Sequence, residues 1–419
     1  MGLLLSRVAK VLKFPAVTAY LVAGIVIGPF CLRMLGIEGV DIAALKSVSD
    51  FKIISDVALG FIAFSIGNEF RLSQLKQTGK QATVIGILQA VVTTLLVDIV
   101  LVIFAITTGK ISVSVAIVLG AIAAATAPAA TLMVVKQYKA KGPLTDILLP
   151  VVALDDAVGL VIFAVSFGIA KALSLGGAIS IASVVLNPLI EIVASLLLGL
   201  IMGVLFTFTE KFFKSNSKRL SISITYVLLT VAFSMLEFNI TSDIHLSFSP
   251  LLVCMMLGTV FCNLCDFSAE LMDRADRWTA PLFILFFVLS GAELNFLVFG
   301  DVYVIIVGVL YIIARSAGKY VGAFGSAALA GSSPTIKKYL GVTLLPQAGV
   351  ALGMSLQAEQ VLGADGILIR NIVLFAVLIY ELFGPMLTKI ALTKAGDIIP
   401  DGAVSARVHN DDHHKNKKA

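Results

Sequence analysis

Long runs of apolar residues follow one another along this chain and restrict what it can fold into. Most are as long as the ~20 residues that an α-helix needs to cross a bilayer. The strands of an outer-membrane barrel would instead alternate apolar and polar residues over about ten positions. The sequence therefore predicts an all-α polytopic membrane protein. The twelve predicted membrane-spanning helices cover residues 15–36, 52–69, 81–108, 111–138, 144–172, 180–209, 220–237, 246–265, 281–299, 301–325, 338–357 and 364–392.

The amino-acid composition excludes other classes of protein. Hydrophobic residues make up 58% of the chain and charged residues 14%, whereas soluble domains contain about half apolar and a quarter charged residues. These values are inconsistent with a cytosolic enzyme, a nucleic-acid-binding protein or a disordered chain. Residues 1–12 look like the end of a further N-terminal helix, short or truncated, which would bring the predicted total to thirteen.

The sequence offers no pattern for a cofactor or a resident metal. Cys262 and Cys265 are spaced as C-x-x-C, but a structural zinc site needs further ligands, and neither a second pair nor a nearby histidine supplies them. A Walker loop, a dinucleotide fingerprint and a nucleophile triad are also absent from the sequence. We therefore predict a protein that is not an enzyme and that uses no cofactor.

Lysine and arginine residues indicate which side of the membrane each loop faces, because short cytoplasmic loops are enriched in them. The alternation of basic and less basic loops holds along the whole chain and supports the predicted number of helices. The basic side is the cytoplasm, so we predict a multi-pass protein of the cytoplasmic membrane with the polar tail 393–419 inside the cell. The basic clusters lie at 7–13, 71–80, 136–141, 211–219, 274–277 and 337–338.

Segments of the first half recur in the second half in the same order. FIAFSIGNEFRL at 61–72 matches LFFVLSGAELNF at 285–296. The helix 15–36 contains Pro15 and Gly24, and the helix 246–265 contains Pro250 and Gly258. The predicted orientation makes 15–36 run outward and 246–265 run inward. Two repeats of opposite topology are therefore predicted, an architecture of many secondary transporters. The predicted boundaries are 1–172 for the first repeat, 173–213 for a linker helix and 214–392 for the second repeat.

Two predicted helices are interrupted near their middle. The fourth contains Thr126 and Pro128, and the eleventh contains Pro346, Gln347 and Gly349. Proline removes a backbone donor, and glycine lowers the cost of a non-helical stretch. Such backbone survives at membrane depth only where protein buries it or where it faces water. Breaks at matching places in two repeats predict a binding site between them, where half-helix ends offer partial charges; a packing kink is the alternative.

Adjacent carboxylates at Asp155 and Asp156 lie inside the fifth predicted helix, with about ten apolar residues on either side. A charge at the bilayer centre costs at least ~2.5–3.5 kcal/mol on insertion scales, so a purely structural role is a poor explanation. Two neighbouring carboxylates titrate as a coupled pair and can exchange a proton for a small cation. Because helix neighbours lie about 100° apart, one aspartate can face the cation and the other a different partner.

Arg315 and Lys319 are the candidate charge partners of this pair. They lie four residues apart in the tenth predicted helix and share one helix face. A buried lysine changes its protonation state readily, whereas arginine stays charged. Lys319 is therefore predicted to release a proton when the cation arrives, with snorkelling to the cytoplasmic surface as the alternative. Arg315 is predicted to be a fixed counter-ion, with Glu69 or Glu293 as its partner.

Several of these segments together resemble the bacterial monovalent cation:proton antiporters of the second cation:proton antiporter family. They are TAPAATLMVVKQYKAKGPLTDILLPVVALDDAVGL, FPAVTAYLVAGIVIGP, SIGNEF, LSGAELNF and ARSAGKYVG. The resemblance implies broken helices that cross beside the aspartate pair, and an elevator-like shift of a six-helix core against a dimerisation domain in a homodimer. It also implies that Asp156 carries cation and proton, that Asp155 is ion-paired to Lys319 rather than Arg315, and that Thr126 lines the site.

The expected function is exchange of Na⁺ or Li⁺ for H⁺, with cation and proton competing for the aspartate pair. Exchange of K⁺ for H⁺ is the alternative, and both electroneutral and electrogenic stoichiometries remain open. A sodium-coupled organic-anion symporter would need more polar groups near the breaks than Thr126 and Gln347, and a non-transporting sensor would need a larger polar domain. The expected partners are monovalent cations, protons, the lipid bilayer and a second copy of the chain, but no nucleic acid.

Overall fold

The computed structural model describes residues 2–11, 16–28, 52–69, 71–127, 131, 134–135, 138–174, 187–213, 215–236, 238–239, 245–292, 294 and 300–398. These residues are almost entirely helical. The helices are α1 (Gly2–Val11), α2 (Ala16–Ile27), α3 (Lys52–Glu69), α4 (Leu72–Thr108), α5 (Val113–Ala123), α6 (Pro143–Ser174), α7 (Asn187–Lys211), α8 (Asn216–Ser234), α9 (Pro250–Leu264), α10 (Ser268–Ala292), α11 (Val302–Leu329), α12 (Pro334–Thr343) and α13 (Gly349–Ala395). A two-residue antiparallel pair, β1 (Phe238–Asn239) and β2 (His245–Leu246), lies between α8 and α9.

Within this part of the chain, five helical stretches are long and apolar enough to cross a membrane. They are Gly79–Thr108, Pro143–Ser174, Leu189–Lys211, Val302–Leu329 and Gly349–Ala395. The shorter apolar helices Ala16–Ile27, Ile53–Asn68, Val113–Ala123, Pro250–Leu264 and Arg277–Ala292 complete the set. The protein is a polytopic helical membrane protein, as the sequence predicts, while the total of twelve or thirteen spans stays a prediction. The ends of some predicted spans, at 29–36 and 180–186, lie outside the described residues.

The longest helix, α13, is two helices joined by a sharp reversal at Gly363. This glycine has φ of 57°, in the region that favours glycine. A Cβ added to Gly366 would lie 2.3 Å from the carbonyl oxygen of Ala358, and Arg370 Nε lies 2.8 Å from Glu359 Oε2. Residues this far apart in sequence meet only if the chain folds back. The reversal separates the predicted spans 338–357 and 364–392.

Glycines bring four helices into close contact at two crossings. A Cβ at Gly24 of α2 would lie 2.0 Å from the Val288 carbonyl oxygen, and one at Gly291 of α10 would lie 2.2 Å from the Leu21 carbonyl oxygen. The helices α2 and α10 therefore touch through their backbones, and only glycine fits at these positions.

The second crossing joins α3 to α9 in the same way. A Cβ at Gly67 would lie 1.9 Å from the Met255 carbonyl oxygen, and one at Gly258 would lie 2.2 Å from the Phe64 carbonyl oxygen. Exchanging the two predicted repeats would exchange these two crossings, since the sequence matches the segment around Gly67 with that around Gly291. The inverted repeats and their boundaries at 172 and 214 stay predictions.

The last described turn of the chain holds the start of α6. The Asp397 carboxylate accepts hydrogen bonds from the backbone nitrogen of Thr145 at 2.7 Å and from its hydroxyl at 2.8 Å. The Lys141 nitrogen donates to the Asp397 carbonyl oxygen at 2.9 Å. A carboxylate at a helix N-terminus satisfies unpaired N–H groups and interacts favourably with the helix dipole. This contact fixes the end of the helix that carries Asp155 and Asp156.

Candidate ion-binding site

Two interrupted helices cross in the middle of the molecule. The helix α5 ends at Ala123 and α12 ends at Thr343, and each is followed by a non-helical stretch. The Ala127 nitrogen donates a hydrogen bond to the Pro346 carbonyl oxygen at 2.9 Å, so the two stretches are joined through their backbones. The Gln347 amide donates to the Ile122 carbonyl oxygen at 3.0 Å. Pro128, the predicted break in the fourth span, lies outside the described residues.

Both interrupted helices begin with the same kind of cap. The Ser112 side chain accepts a hydrogen bond from the Val115 nitrogen at the start of α5, and the Ser333 side chain accepts one from the Ile336 nitrogen at the start of α12. Serine is a preferred N-cap because its oxygen satisfies one of the first N–H groups of the helix. Each helix is therefore locally well determined up to its interruption.

Arg315 on α11 binds the carbonyl groups that the interruptions leave without helical partners. Its Nε donates to Ala123 at 3.1 Å, and its two Nη atoms donate to Leu345 at 2.8 Å and Ala125 at 2.7 Å. Its guanidinium also lies 4.4 Å from the centre of the Tyr380 ring. Arg315 thus acts on the backbone of both broken helices. Among the described residues it forms no ion pair with a carboxylate; of its predicted partners, Glu293 and the side chain of Glu69 lie outside the description.

Lys319, one turn further along α11, forms an ion pair with Asp155. Its ammonium lies 2.6 Å from Asp155 Oδ2, and both side chains are fully buried. The same ammonium donates to the Thr126 hydroxyl at 2.9 Å, to Gln89 Oε1 at 3.2 Å and to the Ala124 carbonyl oxygen. Snorkelling of Lys319 to the surface is therefore inconsistent with the structure. A buried pair of this kind needs such additional hydrogen bonds to offset the loss of water.

The Asp155 carboxylate is fully used by neighbouring donors. Its Oδ1 accepts a hydrogen bond from the Gln89 amide, and its Oδ2 accepts one from the Thr126 hydroxyl as well as from Lys319. The three donors lie in different parts of the fold: Gln89 on α4, Lys319 on α11 and Thr126 in the non-helical stretch after α5. Asp155 is therefore held as the structural partner of Lys319.

Asp156 faces a different environment from its neighbour. It is 1% exposed, and it lines a cavity of about 440 Å³ together with Thr126, Ala127 and Gly349. The other walls of the cavity are formed by α2, α3 and α10 and are mostly apolar. Gly349 begins α13, so a half-helix N-terminus with its partial positive charge borders the same space. Of the aspartate pair, Asp156 and not Asp155 lines this cavity.

Gln89 and Tyr311 are two residues of the site that the sequence analysis does not select. The available signal was a polar amide inside the apolar run 81–108. Tyr311 was missed as well, although it is buried one turn before Arg315 and its hydroxyl accepts a hydrogen bond from Gln347 Nε2 at 3.0 Å. Both side chains are uncharged, so hydropathy alone gives little reason to select them.

Comparison with known proteins places this site in a family. The family described as sodium/hydrogen exchanger, transmembrane, matches residues 1–394. The chain belongs to that family. It is a monovalent cation:proton antiporter, and not an enzyme, as its sequence predicts.

Two individual proteins resemble this antiporter over most of its length. The K⁺/H⁺ antiporter subunit KhtU of Bacillus subtilis (strain 168) is 24% identical over 393 residues, which cover 92% of this chain and 89% of the relative. The structure of the sodium proton antiporter MjNhaP1 from Methanocaldococcus jannaschii matches with a TM-score of 0.70 and 19% identity, over 93% of this chain and 96% of that one. The second comparison shows that the fold is shared.

Proposed function

We propose that this antiporter exchanges Na⁺ or Li⁺ for H⁺ by binding either the cation or a proton at Asp156. The observation that carries the proposal is the division of the aspartate pair. Asp155 is engaged by Lys319, Gln89 and Thr126, whereas Asp156 lines the cavity. One carboxylate thus stays in the protein framework, and the other meets the transported ion.

Competition at one carboxylate couples the two fluxes without separate paths. Carboxylate oxygens are good ligands for a small cation that has lost water, and a bound proton occupies the same lone pairs. Thr126 and the backbone of the break supply further oxygen ligands beside Asp156. A proton gradient then drives cation movement because each ion leaves only when the other replaces it.

We place the exchanger in the cytoplasmic membrane with its C-terminus inside the cell, on the basis of the distribution of basic residues. In this orientation the cavity at Asp156 lies towards the cytoplasm, since it includes Val17 near the start of α2 and Ser65 near the end of α3. Alternating access would shift α4, α5, α6, α11, α12 and α13 as one body against the remaining helices. A homodimer would anchor the remaining helices.

Exchange of K⁺ for H⁺ is the second candidate. The relative KhtU carries this activity in its name, and the carboxylate chemistry at Asp156 does not depend on cation size. Backbone and hydroxyl oxygens around Thr126 would set the preferred cation.

Purified protein in vesicles that contain a pH-sensitive dye tests the proposal. Addition of Na⁺, Li⁺ or K⁺ alone should collapse a preformed pH gradient, and the order of rates gives the selectivity. Asp156→Asn should abolish this response, because an amide cannot hold the exchanged proton. Asp146→Asn is the matched control, since Asp146 is an exposed carboxylate in the first turn of the same helix. Full activity of Asp156→Asn would refute the assignment.

Lys319 decides the stoichiometry in this scheme. If its ammonium also releases a proton in each cycle, more than one H⁺ moves per cation and the rate depends on the membrane potential. Lys319→Gln should then remove the dependence on potential while Asp156 still exchanges. If Lys319 does not release a proton and Arg315 is only a fixed charge, one H⁺ moves per cation. The transport rate of the unaltered protein is then already independent of the membrane potential.

A further inference from the structure

The first half of α13 packs along α3 in the opposite direction. A Cβ added to Gly353 would lie 2.1 Å from Leu59 Cδ1, so the leucine side chain occupies the space that this glycine leaves. One turn earlier in α13, a Cβ added to Gly349 would lie 3.9 Å from Ile62 Cγ2 and would meet no described atom closer than 3.7 Å. Gly349 borders the cavity of the candidate site. The space in front of Gly349 is therefore open, whereas that in front of Gly353 is filled.

Two glutamines of α13 repeat this one-turn spacing beside an earlier turn of α3. Gln360 Nε2 donates a hydrogen bond to Asp56 Oδ1 at 2.9 Å. Gln357 lines a cavity of about 530 Å³ together with both of these residues, and its Oε1 is buried without a hydrogen-bond partner among the described residues. Because a turn of α-helix has about 3.6 residues, Gln357 lies one turn before Gln360.

The helices α13 and α3 are attached to different parts of the fold. The Asp365 carboxylate of α13 accepts a hydrogen bond at 2.6 Å from the Ser112 hydroxyl at the start of α5, and α13 begins directly after the break that crosses the end of α5. The helix α3 is held by α9 instead, through the close contacts of Gly67 and Gly258. A movement of the ion site relative to α3 would therefore include a movement of α13 along α3.

We propose that α13 occupies two registers on α3 that are one helical turn apart. In the first register, which the structure shows, Leu59 lies on Gly353. In the second register Leu59 lies on Gly349. The glutamines change places in the same way, because the step brings Gln357 to the carboxylate of Asp56.

The step between the two registers measures about 5.4 Å, the pitch of an α-helix. Packed helices can move past one another by a whole turn because their side chains then fit into equivalent gaps. In the orientation proposed above, the step moves the ion site outward, away from the cavity that borders Asp156 and towards the cavity that borders Asp56. This inference rests on the proposed function, and it adds the distance moved and the residues that fix both end points.

Alanine at either glycine should favour one register over the other. In Gly353→Ala the new Cβ overlaps Leu59 in the first register, and in Gly349→Ala it does so in the second. Overpacking of this kind corresponds to about fivefold or more in the ratio of the two registers. Labelling of Ser65→Cys by a maleimide from the cytoplasmic side should therefore slow in Gly353→Ala, because the cavity that Ser65 lines closes in the second register. Gly349→Ala should not slow this labelling, but it should slow ion exchange.

Shortening Leu59 provides the matched control. In Leu59→Ala the side chain that both glycines accommodate is removed, so Gly349→Ala and Gly353→Ala should have no further effect on exchange or labelling in that background. A direct effect of the alanine on the ion site would persist there. Leu59→Val, which also lacks Cδ1, replaces Leu59→Ala if that variant does not fold.

Gln357→Leu tests the second register through a different contact. Gln357 lies outside the ion site, so the heat of cation binding to the solubilised protein should be unchanged. Ion exchange in vesicles should slow by about twofold to tenfold, the range that corresponds to one hydrogen bond. Gln360→Leu removes the hydrogen bond of the first register, so it should slow the labelling of Ser65→Cys instead.

The outcomes separate this inference from the proposed function. If Asp156→Asn abolishes exchange but Gly349→Ala or Gln357→Leu exchanges ions at the unaltered rate, the two registers are wrong and the proposed function stands. If Gly349→Ala slows exchange equally in the Leu59→Ala background, the alanine acts on the ion site, and the second register is overturned as well. Retained exchange in Asp156→Asn would overturn the proposed function itself.

Discussion

The two basic residues of α11 have different partners although they share one helix face. Arg315 reaches three carbonyl groups at once because its guanidinium presents donors in a fixed planar arrangement. Lys319 has a single nitrogen and concentrates its charge on Asp155. Arg315 therefore stabilises the backbone of the broken helices, whereas Lys319 places its positive charge beside the aspartate pair.

Replacement of Arg315 by lysine should separate these roles. In Arg315→Lys one ammonium cannot bind three carbonyl groups, and at least one buried carbonyl group loses its donor, at a cost of about 1–3 kcal/mol for each one. We expect a lower unfolding temperature of the solubilised protein, while cation binding at Asp156 is retained. Arg274→Lys is the control, because Arg274 is 43% exposed and pairs with Glu270 at the surface. Equal unfolding temperatures would contradict the role of Arg315.

For individual residues, the sequence predicts which charged side chains belong to the site better than it predicts which side chains they contact. Asp155, Asp156, Arg315 and Lys319 could be selected because a charge within an apolar span is costly. The sequence cannot show that Lys319 rather than Arg315 contacts Asp155, because that depends on how α11 crosses the breaks. Gln89 could not be selected in this way, because burying an uncharged amide at membrane depth costs less free energy than burying a charge.

At the scale of helices, the contacts depend on glycines that the sequence presents only as small residues in apolar runs. Gly24 and Gly291 belong to segments 267 positions apart by residue number, and their meeting is set by the fold. The predicted spans and both interruptions follow from hydropathy, proline and glycine. Which helices touch could not be predicted from one sequence, because apolar surfaces of similar shape are interchangeable in a membrane.

The crossing of α2 and α10 should not tolerate a side chain. In Gly24→Ala the new Cβ would lie 2.0 Å from the Val288 carbonyl oxygen, so the helices must separate at a cost of about 1–3 kcal/mol. Gly308→Ala is the matched control in α11, because open space surrounds that position and alanine favours a helix. Thermal unfolding should show a loss for Gly24→Ala and none for Gly308→Ala. A loss of the same size in both would mean that the close contact is unimportant.

At the scale of the whole molecule, two cavities lie at opposite ends of α3. The cavity at Asp156 reaches Ser65 near the end of that helix. A second cavity of about 530 Å³ includes Ile53 near its start, together with Asp56 and Lys171. Asp156 borders the first cavity and not the second, so we expect ions to reach it from one side of the membrane.

Chemical labelling from each side tests this access. In a chain whose own cysteines have been replaced, Ser65→Cys should react with a membrane-impermeant maleimide applied from the cytoplasmic side, and bound cation should slow the reaction. Ile53→Cys is the control and should react from the opposite side only. Labelling of Ser65→Cys from the outer side alone would reverse the orientation that the basic residues predict.

The contact between Asp397 and Thr145 has a mechanical consequence. Asp397 lies within the polar tail 393–419, and its carboxylate accepts two hydrogen bonds from Thr145 in the first turn of the helix that bears both aspartates. We therefore expect a displacement of residue 397 to act on the start of α6, about ten residues before Asp155. A chain that ends at residue 395 would lack the hydrogen bonds between Asp397 and Thr145, whereas a chain that ends at residue 398 would keep them.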